Sequence, residues 1–143
     1  MPPPSKRPIG LQLGDTSKRV SRAFEDAMAE AGGSVPTWLV LLSLRAGRGN
    51  TQRELADAVG IRGATLSHHL DGLEKAGLVA RRADPDNRRI QRVELTRDGE
   101  KAFDRLRKVA VGFDQRLRKG LDEAEVDALR ATLERLAANV GGD

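Results

Sequence analysis

Two short helical patterns separated by a glycine constrain the fold of this chain more than any other feature of its sequence. The first spans residues 51–59 and the second spans residues 63–76, with Gly60-Ile61-Arg62 between them. Thr51 and Glu54 have the spacing of a capping box, which marks the start of the first helix. Two short helices joined by a tight glycine-containing turn are typical of a helix-turn-helix unit. An αα-hairpin with a solvated outer face has the same pattern, and this segment alone does not separate the two.

The second helix of the pair has one apolar and one polar face. Leu66, Leu70 and Leu73 recur at spacings of four and three residues, so they form the buried stripe. The polar face presents the side chains that we expect to contact DNA: Arg62, Thr65, Ser67, His68 and His69. Short polar side chains near a helix N-terminus can reach base edges in the major groove. Neighbouring helical residues point about 100° apart, so we do not expect the adjacent histidines to share a metal ion.

A basic β-hairpin is predicted directly after this helix. Residues 78–82 and 90–95 are β-prone, and Pro85-Asp86-Asn87 between them has the composition of a turn. The segment from Arg81 to Arg92 contains five arginines and no lysine. The use of arginine without lysine favours a hairpin that contacts phosphates or a DNA groove over one that is only solvated. A hairpin after a helix-turn-helix is the winged variant of the fold, and an arginine at its tip suits a narrow minor groove.

Asp86 has two possible roles in the loop of this hairpin. Its carboxylate can orient Arg88, two residues further on, or it can accept a hydrogen bond from the turn backbone in an Asx turn. The two roles are compatible, and we expect both.

Long helical patterns flank the helix-turn-helix and its hairpin. Apolar residues between positions 12 and 31 form one stripe, and two further stripes follow residue 96 with alternating spacings of three and four. These two stripes are Phe103, Leu106, Ala110, Phe113 and Leu117, and then Val126, Leu129, Leu133, Leu136 and Val140. Such a repeat pairs one helix with another. We therefore expect a homodimer, the alternative being end helices that pack only on their own domain.

The composition excludes several classes of protein. The 143 residues contain no cysteine, which rules out a disulfide scaffold, a thiol redox switch and a cysteine-ligated zinc site. No catalytic motif or acid/base pair is evident, so we expect neither an enzyme nor a cofactor. The most apolar run, residues 35–44, is too short to span a bilayer, and no signal-peptide pattern is present. We therefore expect a cytoplasmic protein without a membrane partner.

Four stretches together resemble the MarR (multiple-antibiotic-resistance regulator) family of winged helix-turn-helix repressors. They are Val35–Leu44, Thr51–Ala56, Thr65–Val79, and Asp84–Thr96 followed by Asp98-Gly99. The resemblance covers about residues 12–140 in order, and the wing with its Asp86-x-Arg88 pair is its most specific part.

The resemblance implies a mainly α fold with a small β-hairpin, whose N- and C-terminal helices interlock in a homodimer. The proline-containing residues 1–11 are expected to form a disordered arm, and residues 12–143 a single domain. Within that domain, the dimerisation helices are expected at about 12–33 and 97–140, and the winged helix-turn-helix at about 34–96.

The resemblance also implies how the protein binds DNA. Two recognition helices would enter successive major grooves of a pseudo-palindromic double-stranded operator. Arg88 is then the minor-groove arginine and Asp86 its orienting partner. Apart from the resemblance, we expect Arg89 and the other wing arginines to meet phosphates. Thr51 and Gln52 would lie near the DNA backbone.

Many members of the family release DNA when they bind small, often anionic aromatic compounds. Trp38, Phe24 and Phe113 are candidates to line such an effector site, although each also suits core or dimer packing. The sequence therefore predicts a transcription regulator, a repressor released by a small effector. Two alternatives stay open: a weakly specific chromosome-associated DNA-binding protein, and a helical interaction module that does not bind DNA. The net charge of +4 fits a polyanionic partner but is weak support by itself.

Overall fold

Helices dominate the fold in the residues that the computed structural model describes, which are 6–47 and 51–141. The elements in those ranges are α1 (Ile9–Glu30), α2 (Val35–Arg45), α3 (Gln52–Val59), α4 (Gly63–Lys75), β1 (Val79–Ala83), β2 (Gln91–Leu95), α5 (Arg97–Leu117) and α6 (Glu123–Asn139). The strands pair antiparallel, with Arg81 opposite Val93 and Arg82 opposite Arg92. The predicted mainly α fold with one β-hairpin after the helix-turn-helix is confirmed.

Side chains cap the starts of α3 and α6, and at α3 only the Thr51 half of the predicted capping box is present among the hydrogen bonds of the described residues. At α3, the Thr51 hydroxyl accepts a hydrogen bond of 3.1 Å from the Glu54 N–H. At α6, Asp122 and Glu125 form both halves of a capping box. Each bond satisfies a backbone N–H that a helix leaves unpaired in its first turn.

The first helix begins earlier than predicted. α1 starts at Ile9, whereas the sequence pattern placed residues 9–11 in a disordered arm. Pro8 precedes the first turn, where its fixed φ and its missing N–H interrupt no helical hydrogen bond. Residues 1–5 of the expected arm lie outside the described residues.

Two apolar clusters form the core of the region up to Ala110. The first joins α2, α3, α4 and the hairpin through Val40, Leu55, Leu66, Leu70, Leu73, Val79 and Val93. The second joins α1, α2 and α5 through Met28, Trp38, Leu41, Ala102, Phe103 and Leu106. Burying one such side chain stabilises a fold by about 1.5–3 kcal/mol. α4 and the hairpin therefore pack on the same apolar cluster, which holds them in a fixed relative position.

The beginning of α5 belongs to this core and not to a dimer interface. Phe103 and Leu106 are 6% and 1% exposed. Phe103 stacks on Trp38, with 5.5 Å between the ring centroids. The expectation that this stripe pairs with a second copy of the chain is therefore wrong for these two residues, which pack on helices of their own chain. The spacing of a stripe does not distinguish a partner in the same chain from one in a second chain.

α5 starts in tight contact with the hairpin at Gly99. The Thr96 hydroxyl accepts a hydrogen bond of 3.0 Å from the Gly99 N–H and donates one to the Gly77 carbonyl. A Cβ atom at position 99 would overlap the Leu78 carbonyl oxygen. Only glycine allows this approach, which joins the base of the wing to α5.

The described residues form two compact units, one ending at Ala110 and the other beginning at Val111. The single domain expected for residues 12–143 stays a prediction, and residues 142–143 lie outside the description. Within the described ranges, no single helix is long and apolar enough to cross a membrane, although α1 and α2 together, bent by 81°, reach that length and composition.

Candidate nucleic-acid interface

α4 presents its expected contact residues on the side that faces away from the core. Leu66 and Leu70 are fully buried and fix the orientation of the helix. Gly60, with a φ of 75°, makes the sharp turn from α3 into α4. The exposed side carries Arg62, Thr65 and His68, with Ser67 and His69 half-buried at its edges. The structure thus brings the first three residues together on an open surface.

One carboxylate organises the loop between β1 and β2. Asp84 is 5% exposed. Its Oδ1 accepts hydrogen bonds from the N–H groups of Asp86 (2.7 Å) and Asn87 (3.2 Å), and its Oδ2 accepts one of 2.6 Å from Arg92 Nε. The bond from Arg92 and those from the backbone favour the ionised form, so the pKa of Asp84 lies below its ordinary value. A charged Asp84 therefore holds the loop in one conformation.

The Asx-turn role predicted for Asp86 belongs to Asp84. Asp84 stands two and three residues before the N–H groups that it accepts, which is the spacing of an Asx turn. Asp86 is exposed, and within the described chain no hydrogen bond or ion pair joins its carboxylate to Arg88. The role of Asp86 in orienting Arg88 stays a prediction.

The five arginines of the hairpin divide into two groups. Arg81 and Arg92 are bound by carboxylates of their own chain. The expectation that these two arginines meet phosphates stays a prediction. The other three are exposed and have no acidic partner within the described residues: Arg82, Arg88 and Arg89.

An open cleft of about 860 Å³ lies between the helix pair and the wing. Its basic and neutral polar lining includes Thr51, Gln52, Arg53, Arg62, Arg89 and Gln91, and Glu54 and Asp57 also border it. A β-bridge between Thr51 and Arg92 ties the start of α3 to the wing. Four of the predicted DNA-contacting residues, which are far apart in the sequence, therefore border one space.

Sequence reasoning missed the structural roles of Arg81 and Asp84. Arg81 donates hydrogen bonds to the carboxylates of Asp71 and Glu74 on α4. The available signal was the spacing of these two acids, which puts them on the same side of α4, one turn apart. It did not indicate which arginine they would meet, because that depends on how β1 packs beside α4.

The three aromatic residues considered for an effector site are mostly in apolar packing. Trp38 is 8% exposed and belongs to the second core cluster, and Phe24 packs against the same cluster. The Arg45 guanidinium lies 5.4 Å from the centre of the Phe103 ring, beside Trp38. Phe113 is half-buried in the unit that begins at Val111. Their role as ligand contacts stays a prediction.

Comparison with known proteins places this geometry in a family. Residues 34–91 match the model of the MarR family. The transcriptional repressor CouR, solved bound to a 23-mer DNA duplex, is 31% identical, with a TM-score of 0.81 over 90% of this chain and 92% of CouR. The chain belongs to the MarR family. The match to the family model contains α2, α3, α4 and the wing loop, and so includes every candidate DNA-contacting residue.

Two further solved structures resemble this MarR-family chain closely. A transcriptional regulator of the MarR family from Rhodococcus sp. RHA1 is 27% identical, with a TM-score of 0.77 over 90% of this chain and 91% of the other. CouR from Rhodococcus jostii RHA1, solved bound to p-coumaroyl-CoA, is 27% identical over the aligned residues, with a TM-score of 0.74 and coverage of 90% of each chain. The likeness therefore extends over nearly the whole chain.

Proposed function

We propose that this MarR-family chain is a homodimeric transcription regulator that binds double-stranded DNA with sequence preference. The observation that carries the proposal is that Arg62 and Arg89 border one open cleft. Neither side chain pairs with a carboxylate in the described part of the chain, so both charges are available for DNA phosphates. The related repressor CouR was solved on a DNA duplex.

The geometry supports simultaneous contact with two grooves. α4 would enter the major groove with Thr65 and His68 towards base edges. Arg88, at the exposed end of the wing, would enter the adjacent minor groove. Thr51 and Gln52 would stand beside the DNA backbone at the start of α3. Because α4 and the hairpin share one apolar cluster, they would meet the DNA as one rigid surface.

A second copy of the chain is proposed to cover the apolar side chains that the end helices leave exposed. In α1 these are Ile9, Leu11 and Leu13, and beyond Val111 they are Leu117, Leu121, Leu129, Leu133 and Val140. Each stabilises a dimer by up to about 1.5–3 kcal/mol when it is fully buried. A two-fold dimer would present two copies of α4, which is what a pseudo-palindromic operator requires.

Binding measured against salt concentration separates this function from its two alternatives. A sequence-specific regulator binds a selected duplex at least about a thousandfold more tightly than random DNA at fixed salt. Its affinity also falls steeply as the salt concentration rises. Equal affinity for both duplexes would indicate a weakly specific chromosome-associated protein. Binding to neither would indicate a helical interaction module.

We also infer that the chain is a repressor and that a small aromatic or anionic effector releases it from DNA. We propose that it acts in the cytoplasm and is not an enzyme. CouR binds p-coumaroyl-CoA. Trp38 is the single tryptophan of this chain, and its emission reports the packing of α2 on α5. Titration with p-coumaroyl-CoA, and with p-coumarate alone, should change Trp38 emission and dissociate the DNA complex over the same concentration range. Dissociation without any change in emission would place the effector away from Trp38.

A further inference from the structure

Arg81 joins the recognition helix to the wing. It lies on β1, and its guanidinium donates hydrogen bonds to Asp71 and, at 3.2 Å, to Oε1 of Glu74. Its backbone N–H also donates to the other oxygen of Glu74, at 3.2 Å. One residue of the wing therefore makes three polar contacts with two turns of α4.

In this cluster the arginine side chain is mostly buried, and the two acidic side chains are exposed. The Arg81 side chain is 17% exposed, whereas those of Asp71 and Glu74 are 53% and 43% exposed. The hydrogen bond to Asp71, followed by that to Glu74, raises the pKa of Arg81 above its ordinary value. The guanidinium is thus permanently charged and already occupied, so it is poorly placed to bind a phosphate.

The guanidinium reaches two points along α4 from one nitrogen, Nη2. Asp71 and Glu74 are three residues apart and lie along the flank of α4 between its buried leucine stripe and its exposed face. The buried leucines seat α4 on the core, and the contacts with Arg81 hold its flank against the wing, which opposes small rotations of α4 about its own axis. The side chains of Thr65 and His68 turn with the helix in any such rotation, and His68 lies one turn before Asp71.

We propose that Arg81 is a positioning residue, which sets the rotation of α4 relative to the wing so that both elements meet their grooves together. The proposal rests on the DNA-binding function proposed above. It differs from a simple electrostatic role, in which Arg81 would only neutralise two acids near the DNA, and from a direct phosphate contact.

The test uses the full chain and the tightest duplex that the parent protein selects from a random-sequence pool. Arg81→Ala should raise the Kd for this duplex about tenfold, the loss typical of one disturbed base contact. The slope of log Kd against log salt should stay unchanged, because no phosphate contact is lost. Arg118→Ala is the matched control, since Arg118 also bridges two carboxylates, Asp114 and Glu123, in the unit that begins at Val111. It should leave the Kd within about twofold of the parent value.

Removing the acids separates positioning from neutralisation. The variant Asp71→Asn with Glu74→Gln should also weaken binding, and adding Arg81→Ala to it should cause little further loss, because all three changes break the same contact. Arg81→Lys keeps the charge and a nitrogen with several N–H donors on a shorter side chain, and it should bind more tightly than Arg81→Ala but no more tightly than the parent. These variants keep the proposal testable if Arg81→Ala does not fold.

Several results would overturn the proposal. They are parent-like binding by Arg81→Ala, weaker binding by Arg81→Lys than by Arg81→Ala, tighter binding by the variant that lacks the acids, a salt slope lowered by about one in Arg81→Ala, and additive losses in the combined variant. If the parent protein selects no duplex at all, the proposed DNA-binding function is itself wrong. That result differs from every result named above, because each of those requires a duplex that the parent binds.

Discussion

Asp84 and Arg92 form an ion pair across the base of the wing loop, with 2.6 Å between Oδ2 and Nε. The same carboxylate holds the backbone of the turn through its other oxygen. This nearly buried acid makes the loop rigid and so places Arg88 and Arg89 at its exposed end. The basic surface of the wing therefore depends on the acidic residue Asp84 for its conformation.

The stability that Asp84 provides should depend on pH. The folded state lowers the pKa of this carboxyl below its ordinary value of about 3.9. The stabilisation is therefore fully present above about pH 4 and is lost as the pH falls through the lower folded-state pKa. Thermal unfolding should show Asp84→Asn less stable than the parent at neutral pH, with the difference shrinking towards pH 2. Asp86→Asn is the control and should unfold like the parent at neutral pH, because the Asp86 carboxylate is exposed. A constant difference for Asp84→Asn across that range would contradict the role of its charge.

Gly99→Ala should destabilise the fold at the junction of the wing and α5. The added Cβ would overlap the Leu78 backbone oxygen, which cannot move without moving the hairpin. We expect a loss of about 1–3 kcal/mol in the free energy of unfolding, measured by denaturant titration. Gly72→Ala is the matched control, because a Cβ there meets nothing within 4 Å. It should stabilise the helix by about 0.5–1 kcal/mol. Equal effects of the two substitutions would show that the contact at Gly99 is not tight.

Charges on the exposed stripe of α6 should dissociate the dimer. Leu129 and Leu133 are 50% and 40% exposed in the single chain and lie one turn apart. Leu129→Glu with Leu133→Glu should raise the dimer dissociation constant at least about a hundredfold, because both copies lose their apolar contacts. Sedimentation analysis measures this constant. Ala131→Glu, on the opposite side of the helix, should leave it unchanged. A variant that stays dimeric would place the interface elsewhere.

Arg88→Ala should weaken DNA binding without changing the melting temperature. The side chain is exposed and unpaired among the described residues, so its removal costs the free protein no contact. The loss of a groove contact is worth about 1–3 kcal/mol of binding free energy. Fluorescence anisotropy with the selected duplex measures it, and Arg107→Ala on α5 controls for the removal of one positive charge. If Arg88→Ala binds as tightly as the parent, the assignment of this arginine to the minor groove is wrong.

The parts of the fold that sequence alone predicted are those with local signals. The turn at Gly60, the cap at Thr51 and the leucine spacing of α4 each involve residues within a few positions of one another. The hairpin followed from turn residues and β-prone flanks. These local signals are enough to locate the candidate DNA surface.

The contacts that sequence alone did not predict join distant segments. Arg81 meets Asp71 only because β1 packs beside α4, and Asp84 meets Arg92 only through the register of the hairpin. Phe103 has the spacing of a dimer contact, yet it stacks on Trp38 in its own chain. Of the five arginines of the hairpin, only Arg81 and Arg92 thus bind carboxylates among the described residues.

The central claim is that two copies of this chain recognise a pseudo-palindromic DNA site. Sequencing of the genomic fragments that the parent protein retains at physiological salt tests this claim most directly. We expect a small set of fragments that share an inverted repeat, with half-sites centred about 10 base pairs apart or a multiple of that distance. Recovery of fragments in proportion to their abundance, without a shared repeat, would contradict it.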